Sequence, residues 1–153
     1  MTINLHLPIE PKALPRVRHA NRGKFVSSYY KKETYAIFDK YQESIIHAVS
    51  HLNTCTRTYI SDMVSNAPKR LGIALYVVFY MPIPNSYSNK RKLALNGKPH
   101  LIKPDTSNLI KMIEDRAEGI LYDDDKRIYK LSGEKYYSHN PRIELEIAYI
   151  LDN

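Results

Sequence analysis

Apolar positions along the chain fall into two rhythms, and together they sketch the fold. The longest apolar run, Leu71 to Met81, is rich in Val, Ile and Tyr and predicts a buried strand. It stops at Met81-Pro82-Ile83-Pro84, where two prolines cannot donate to a ladder. Alternation at Ile3, Leu5 and Leu7 predicts an opening edge strand over Met1 to Pro8, and Ile143, Leu145, Ile147, Tyr149 and Leu151 predict a closing one. A third strand is expected around Ile128 to Leu131. Helical spacing takes over from Thr34 to Asn53, where Tyr35, Phe38, Tyr41, Ile45, Ala48 and Val49 recur at three and four residues. It returns from Thr106 to Glu118, through Leu109, Met112, Ile113 and Ala117, and Gly119 is placed to end that helix. Pro11 to Lys32 reads as an extended basic loop with a short strand at Phe25 to Tyr30; Asn85 to His100 reads as a polar, lysine-rich connection with a turn at Asn96-Gly97. No internal repeat is present. The expected fold is α+β: one compact domain, a mixed β-sheet and two main helices.

At 153 residues the chain suits a single domain spanning 1–153. No apolar stretch has the length of a membrane span, and the first eight residues lack a basic start followed by an apolar block, so neither a membrane segment nor a secretory signal is expected. One cysteine, Cys55, leaves no internal disulfide and no cysteine-rich zinc site. A reducing, cytoplasmic setting is the expectation.

The net charge of +7 matters less than its distribution. Met1 to Lys32 holds seven basic residues against Glu10, and Asn85 to Lys103 holds five with no acid. Pro104 to Asp125 inverts the balance, with seven carboxylates against Lys111 and Arg116. A basic chain with one acidic block suits an enzyme that attracts phosphates and holds cations at one place.

Within that block, Asp105, Asn108, Lys111 and Asp115 share one side of the second helix, since successive residues turn by about 100°. Leu109, Met112 and Ile113 take another side, which leaves a polar stripe outside the core. Asp123, Asp124 and Asp125 follow at the helix-to-strand return, and they reach the stripe only if the sheet folds them back. Carboxylate oxygens suit Mg²⁺ or Mn²⁺, which serve phosphodiester cleavage, and the Lys111 ammonium suits charge on phosphorus oxygens. The same residues also fit an N-cap at Asp105 and a solvated turn at the triplet.

Arg16, Arg18, Arg22, Lys24, Lys31, Lys32, Lys90, Arg91 and Lys92 are the candidate phosphate contacts, and Tyr29 and Tyr30 the candidate stacking residues. His47 and His51 are spaced for a metal, but no glutamate lies between them, and they read as surface or packing histidines.

At Lys103-Pro104-Asp105-Thr106-Ser107-Asn108-Leu109-Ile110-Lys111, continuing to Gly119-Ile120-Leu121-Tyr122-Asp123-Asp124-Asp125, the sequence resembles the RusA family of Holliday-junction resolvases. Pro15-Arg16-Val17-Arg18, Lys31-Lys32-Glu33-Thr34-Tyr35 and the Ser- and Lys-rich Ser86 to Lys92 extend the likeness. It implies a RusA-like homodimer that uses Mg²⁺, with Mn²⁺ as substitute, to make paired cuts in a four-way DNA junction during recombination and repair. It further implies that Asp105 and Asp124 are metal ligands, with Asp123 the weaker partner, that Lys111 is catalytic and that Asn108 lies beside the site. Ser107 departs from the pattern, standing where the family usually has a second aspartate. Asp125, Glu114 or Asp115 could supply the carboxylate, or Ser107 could act through water. The alternative expectations are a protein that binds branched DNA without cutting it and a basic RNA-binding protein.

Overall fold

A computed structural model describes residues 1–151, the side chain of Arg22 excepted. The elements run β1 (Thr2–Leu7), β2 (Arg18–Arg22), β3 (Phe25–Tyr29), α1 (Lys32–Ser50), α2 (Thr54–Ser65), β4 (Leu71–Pro82), α3 (Asn89–Leu95), α4 (Thr106–Ala117), a 3-10 turn (Asp125–Arg127), β5 (Ile128–Ser138) and β6 (Arg142–Leu151). The main sheet has the order β1-β6-β4-β5, mixed as expected: β4 is antiparallel to β6 and parallel to β5.

Strand register explains why the alternating positions are apolar. Ile73 lies opposite Tyr149, Leu75 opposite Ile147, Val77 opposite Leu145 and Phe79 opposite Ile143. Ile3, Leu5 and Leu7 of β1 continue three of those rows. All of these side chains are buried on one face. The helices cover that face: α1 contributes Phe38, Tyr41 and Ile45, α2 Ile60 and Met63, and α4 Leu109, Met112, Ile113 and Ala117. The opposite face carries Tyr76, Tyr80, Glu144 and Glu146, half-buried or exposed.

Parallel neighbours need a crossover, and the chain from β4 to β5 supplies it with α3 and α4. The acidic block therefore rides on the crossover. Gly119, at φ 79°, ends α4 as expected and donates its N–H to the Tyr122 carbonyl. Gly133 of β5 makes room for the helix: a Cβ there would fall 2.5 Å from Ile110 Cδ1 and 2.8 Å from Ile110 Cγ1.

Several expected boundaries shift. The first helix runs Lys32–Ser50 rather than Thr34–Asn53, because Asn53 caps the next helix, its side chain accepting from the Thr56 N–H at 2.9 Å. The region after it, where the sequence pattern predicts no element, forms α2. The lysine-rich connection contains α3, capped by Ser88, whose Oγ accepts from the Arg91 N–H. Two main helices thus become four among the described residues. The strand expected at Ile128 to Leu131 continues to Ser138, and β4 reaches Pro82, paired with Ser138. Arg18–Arg22 pairs with Phe25–Tyr29 as a separate hairpin, so the basic loop is partly ordered as strand.

Candidate functional site

Asp105 is the N-cap residue of α4, extended at φ −68° and ψ 141°, yet its side chain makes no capping hydrogen bond. The carboxylate is thus not spent on the helix, and it is exposed. The loop before it is held from below. Lys135 donates from Nζ to the carbonyls of Ile102 and Pro104, each at 2.6 Å, and His100 is buried beside Tyr137 with its ring centroid 4.5 Å away. Burial and the nearby Lys135 charge lower the His100 pKa, so its ring is neutral where it packs. Leu14 donates its N–H to the Asn108 carbonyl, strapping the N-terminal segment across the start of α4.

The expected stripe is present. Asp105, Ser107, Asn108 and Lys111 are exposed and Asp115 half-buried, while Leu109, Met112 and Ile113 are buried. The aspartate triplet is fixed through its cations. Arg127 donates from Nε and Nη2 to the two oxygens of Asp123 and from Nη1 to the Pro68 carbonyl at 2.8 Å, tying the triplet to the start of β4. This bidentate hydrogen bonding lowers the Asp123 pKa. Lys126 Nζ lies 2.6 Å from Asp124 Oδ2, and its hydrogen bond lowers the Asp124 pKa. Asp125 is exposed and faces Glu114, whose pKa is raised by burial and then by the charges of Asp115 and Asp125, against the opposing pull of Lys111. Buried Tyr122 donates its hydroxyl to the Glu114 carbonyl at 2.9 Å, and Tyr149 donates to that of Leu121 at 2.7 Å, locking this return against the core.

The sheet folds the triplet back, but onto the C-terminal half of α4. Asp123, Asp115, Arg116, Glu118 and Gly119 line a single cavity of about 400 Å³. Asp105 sits at the other end of the helix, and twelve residues of α4 rise by about 18 Å. Among the described residues, no three His, Cys, Asp or Glu side chains converge as a metal cage. One chain therefore presents two carboxylate groups, Asp105 at one end and Asp124 with Asp123, Asp125, Glu114 and Asp115 at the other. Each group offers oxygen donors that suit a hard dication, and the crowded charges around Glu114 would be relieved by one.

The candidate DNA contacts form two surfaces. Arg16, Arg18, Lys24, Lys31 and Lys32 are exposed on and around the β2–β3 hairpin, which also shows Phe25 and Val26 to solvent. Arg22 carries a side chain outside the described residues. Lys90, Arg91 and Lys92 lie on α3, Arg91 stacked 3.7 Å over Tyr87. Tyr29 is exposed, whereas Tyr30 packs edge-on against Phe38 and serves the core. His47 and His51 are exposed, 4.3 Å apart between ring centroids, with His51 Nδ1 at 2.9 Å from the His47 carbonyl. Sequence reasoning missed Lys69, Arg70, Lys126 and Arg127. The available signal was two Lys-Arg pairs, each just before a strand; strands that pair in parallel start at the same end, so the pairs meet.

Comparison with known proteins adds two findings. An uncharacterized protein of Bacillus subtilis (strain 168), YqaN, is 33% identical over 79 residues, which cover 49% of this chain and 56% of that protein. The chain thus spans little more than half the length of that relative. Residues 8–148 match the family described as Endodeoxyribonuclease RusA, across both basic surfaces and both carboxylate groups. The chain belongs to the RusA endodeoxyribonuclease family.

Proposed function

We propose that the protein is a divalent-metal-dependent, structure-specific endonuclease that resolves four-way DNA junctions, working as a homodimer in recombination and repair. The observation that carries this reading is the pair of carboxylate groups at the two ends of α4, in a chain of this family whose surface is otherwise basic. Asp105 and Asp124 would hold Mg²⁺, or Mn²⁺ in its place, with Asp123 and Asp125 beside them. When bound, the ion would supply Lewis acidity and neutralise phosphate charge.

The residues of the chain do the rest. Lys111, exposed on the stripe, offsets charge gathering on the phosphorus oxygens, and Asn108 beside it donates to substrate oxygens. Ser107 and Asp115 support water and charge balance around them. The cations of the hairpin and of α3 hold backbone phosphates, which fixes position without reading sequence. Asp105 opens α4 while the triplet packs against its C-terminal half, so in this reading each ligand set is shared between two protomers: Asp105 from one and Asp124 from its partner. A two-fold dimer makes two such sites, one for each strand to be cut.

Mixing tests this. Asp105→Asn and Asp124→Asn should each abolish junction cutting and keep junction binding. Co-refolded together, they should regain roughly a quarter of the wild-type sites, because half the dimers are mixed and each mixed dimer has one intact site. A mixture that stays inactive places both ligands in one protomer; unimpaired cutting by either variant defeats the assignment. Wild-type cutting should vanish in EDTA and return with Mg²⁺ or Mn²⁺.

Ser107 and the lack of a three-carboxylate cage among the described residues favour one second reading, junction binding without cleavage. It predicts cation-independent binding and no nicked product with either metal.

A further inference from the structure

Next to the triplet, and outside both basic surfaces already described, lies an open groove of about 880 Å³. Lys69, Arg70, Lys126 and Arg127 line it together with Tyr129 and Gly72. Its construction follows from topology. β4 and β5 run parallel, with Ile73 opposite Ile128, so the Lys-Arg pair before each strand arrives at the same sheet end. Two of the four cations are engaged by carboxylates, Arg127 by Asp123 and Lys126 by Asp124. Among the described residues, Lys69 and Arg70 make no ion pair and are exposed, so the groove keeps a net positive charge.

Tyr129 gives the groove a flat wall. The residue is 62% exposed, a large aromatic surface to leave in water. Its ring lies on the backbone of Gly72, with Cδ1 3.2 Å from where a Cβ would be. Even a methyl at position 72 would require the ring to give by a few tenths of an ångström. The tyrosine is thus held in place by packing beneath it while its upper surface remains open.

We propose that this groove holds a DNA strand near the branch point: its phosphates lie against Lys69 and Arg70, and one unpaired base stacks on Tyr129. This deepens the endonuclease reading and rests on it. Phosphates account for the cations, and an unpaired base, unlike one within a duplex, has a free face to stack on the ring. The groove ends at Asp124 through Lys126, so a strand lying in it is led toward the carboxylates at this end of α4.

The test uses the full-length protein in EDTA, so that binding is read without cleavage. Labelled probes are a four-way junction, a fully paired linear duplex and an oligothymidylate, each measured by anisotropy over a range of salt. Lys69→Glu/Arg70→Glu should weaken junction and oligothymidylate binding by tenfold or more and flatten the log–log salt dependence by about 1.8 on the junction and about 1.4 on oligothymidylate, close to one counterion for each lost contact. Tyr129→Ala should weaken both by about fivefold or more while leaving the linear duplex nearly unchanged, and Tyr129→Phe should restore binding. Unchanged affinity and salt slope in the double variant, with the fold intact by circular dichroism, would overturn the groove. Equal losses on junction and linear duplex, with Tyr129→Ala silent, would overturn the single-strand occupant. Cutting by the wild type with Mg²⁺ is scored separately. A wild type that binds but never cuts refutes the endonuclease reading and leaves the groove to its own result.

Discussion

Substituting Gly133 with alanine probes the seam that sets the position of Asp105. The added Cβ would stand 2.5 Å from Ile110 Cδ1 and 2.8 Å from Ile110 Cγ1, with Thr106 Cγ2 at 3.6 Å. Carbon atoms prefer roughly 3.5–4.0 Å, so about 1 Å of movement is required. Cδ1 can swing aside about χ2. Cγ1 cannot, because it moves only with a new χ1 rotamer or with the helix itself. Overpacking of this kind costs about 1–3 kcal/mol. Alanine also removes glycine's excess freedom in a strand, a gain of roughly 0.5–1 kcal/mol, and the Gly133 φ is not in the left-handed region. The steric loss therefore outweighs the gain, by up to about 2.5 kcal/mol. The damage to function should be larger than the damage to stability, because a start of α4 displaced by about 1 Å carries Asp105 with it, and misplacements of that size cost on the order of 100-fold in rate. Ile110→Ala relieves both contacts. Urea denaturation and junction cutting of Gly133→Ala, Ile110→Ala and the double variant complete a cycle, in which the double variant should be more active than Gly133→Ala alone. If Gly133→Ala matches the wild type in both assays and the cycle shows no coupling, α4 does not seat on β5 as described.

Three further outcomes are expected. Arg127→Met should lower stability by about 1–3 kcal/mol in urea, since it strips two hydrogen bonds from Asp123 and one from the Pro68 carbonyl in a poorly exposed site. The Asp123 pKa is lowered in the fold, so its contribution is present above the ordinary value of 3.8 and lost as pH falls; the deficit of Arg127→Met should therefore shrink in acid. Glu114 has the opposite sign. Its folded pKa is raised above 4.5, the folded state binds the extra proton in that window, and stability falls as pH rises through it. Asp125→Asn should shift the Glu114 titration downward, read by carboxyl-carbon NMR; an unmoved midpoint would separate Asp125 from Glu114.

Much of this molecule is written in local pattern. Alternation marks β1 and β6, because each puts one face against helices and the other toward solvent; a continuous apolar run rich in Val, Ile and Tyr marks β4; and three- and four-residue spacing marks α1 and α4. The exposed stripe of Asp105, Asn108 and Lys111 follows from helical rotation without any neighbour. α2 and α3 were not legible in this way. α2 is rich in threonine and depends on the Asn53 cap, and α3 buries no residue, so neither repeats an apolar period strong enough to read. The second half of β5 is interrupted in the sequence by Ser132 and Gly133, and the glycine's small size matters because Ile110 lies across it.

Proximity was decided elsewhere. The sequence named the carboxylates but left open which end of α4 the triplet would meet. That depended on the crossover returning to start β5 beside β4, where Arg127 grips the Pro68 carbonyl. The same parallel pairing brings together two Lys-Arg pairs that lie more than fifty residues apart in the chain. Periodicity reports which face of an element is buried, and its range is a few residues. Strand order and direction are set by how whole elements pack, and they alone determine which charges face one another.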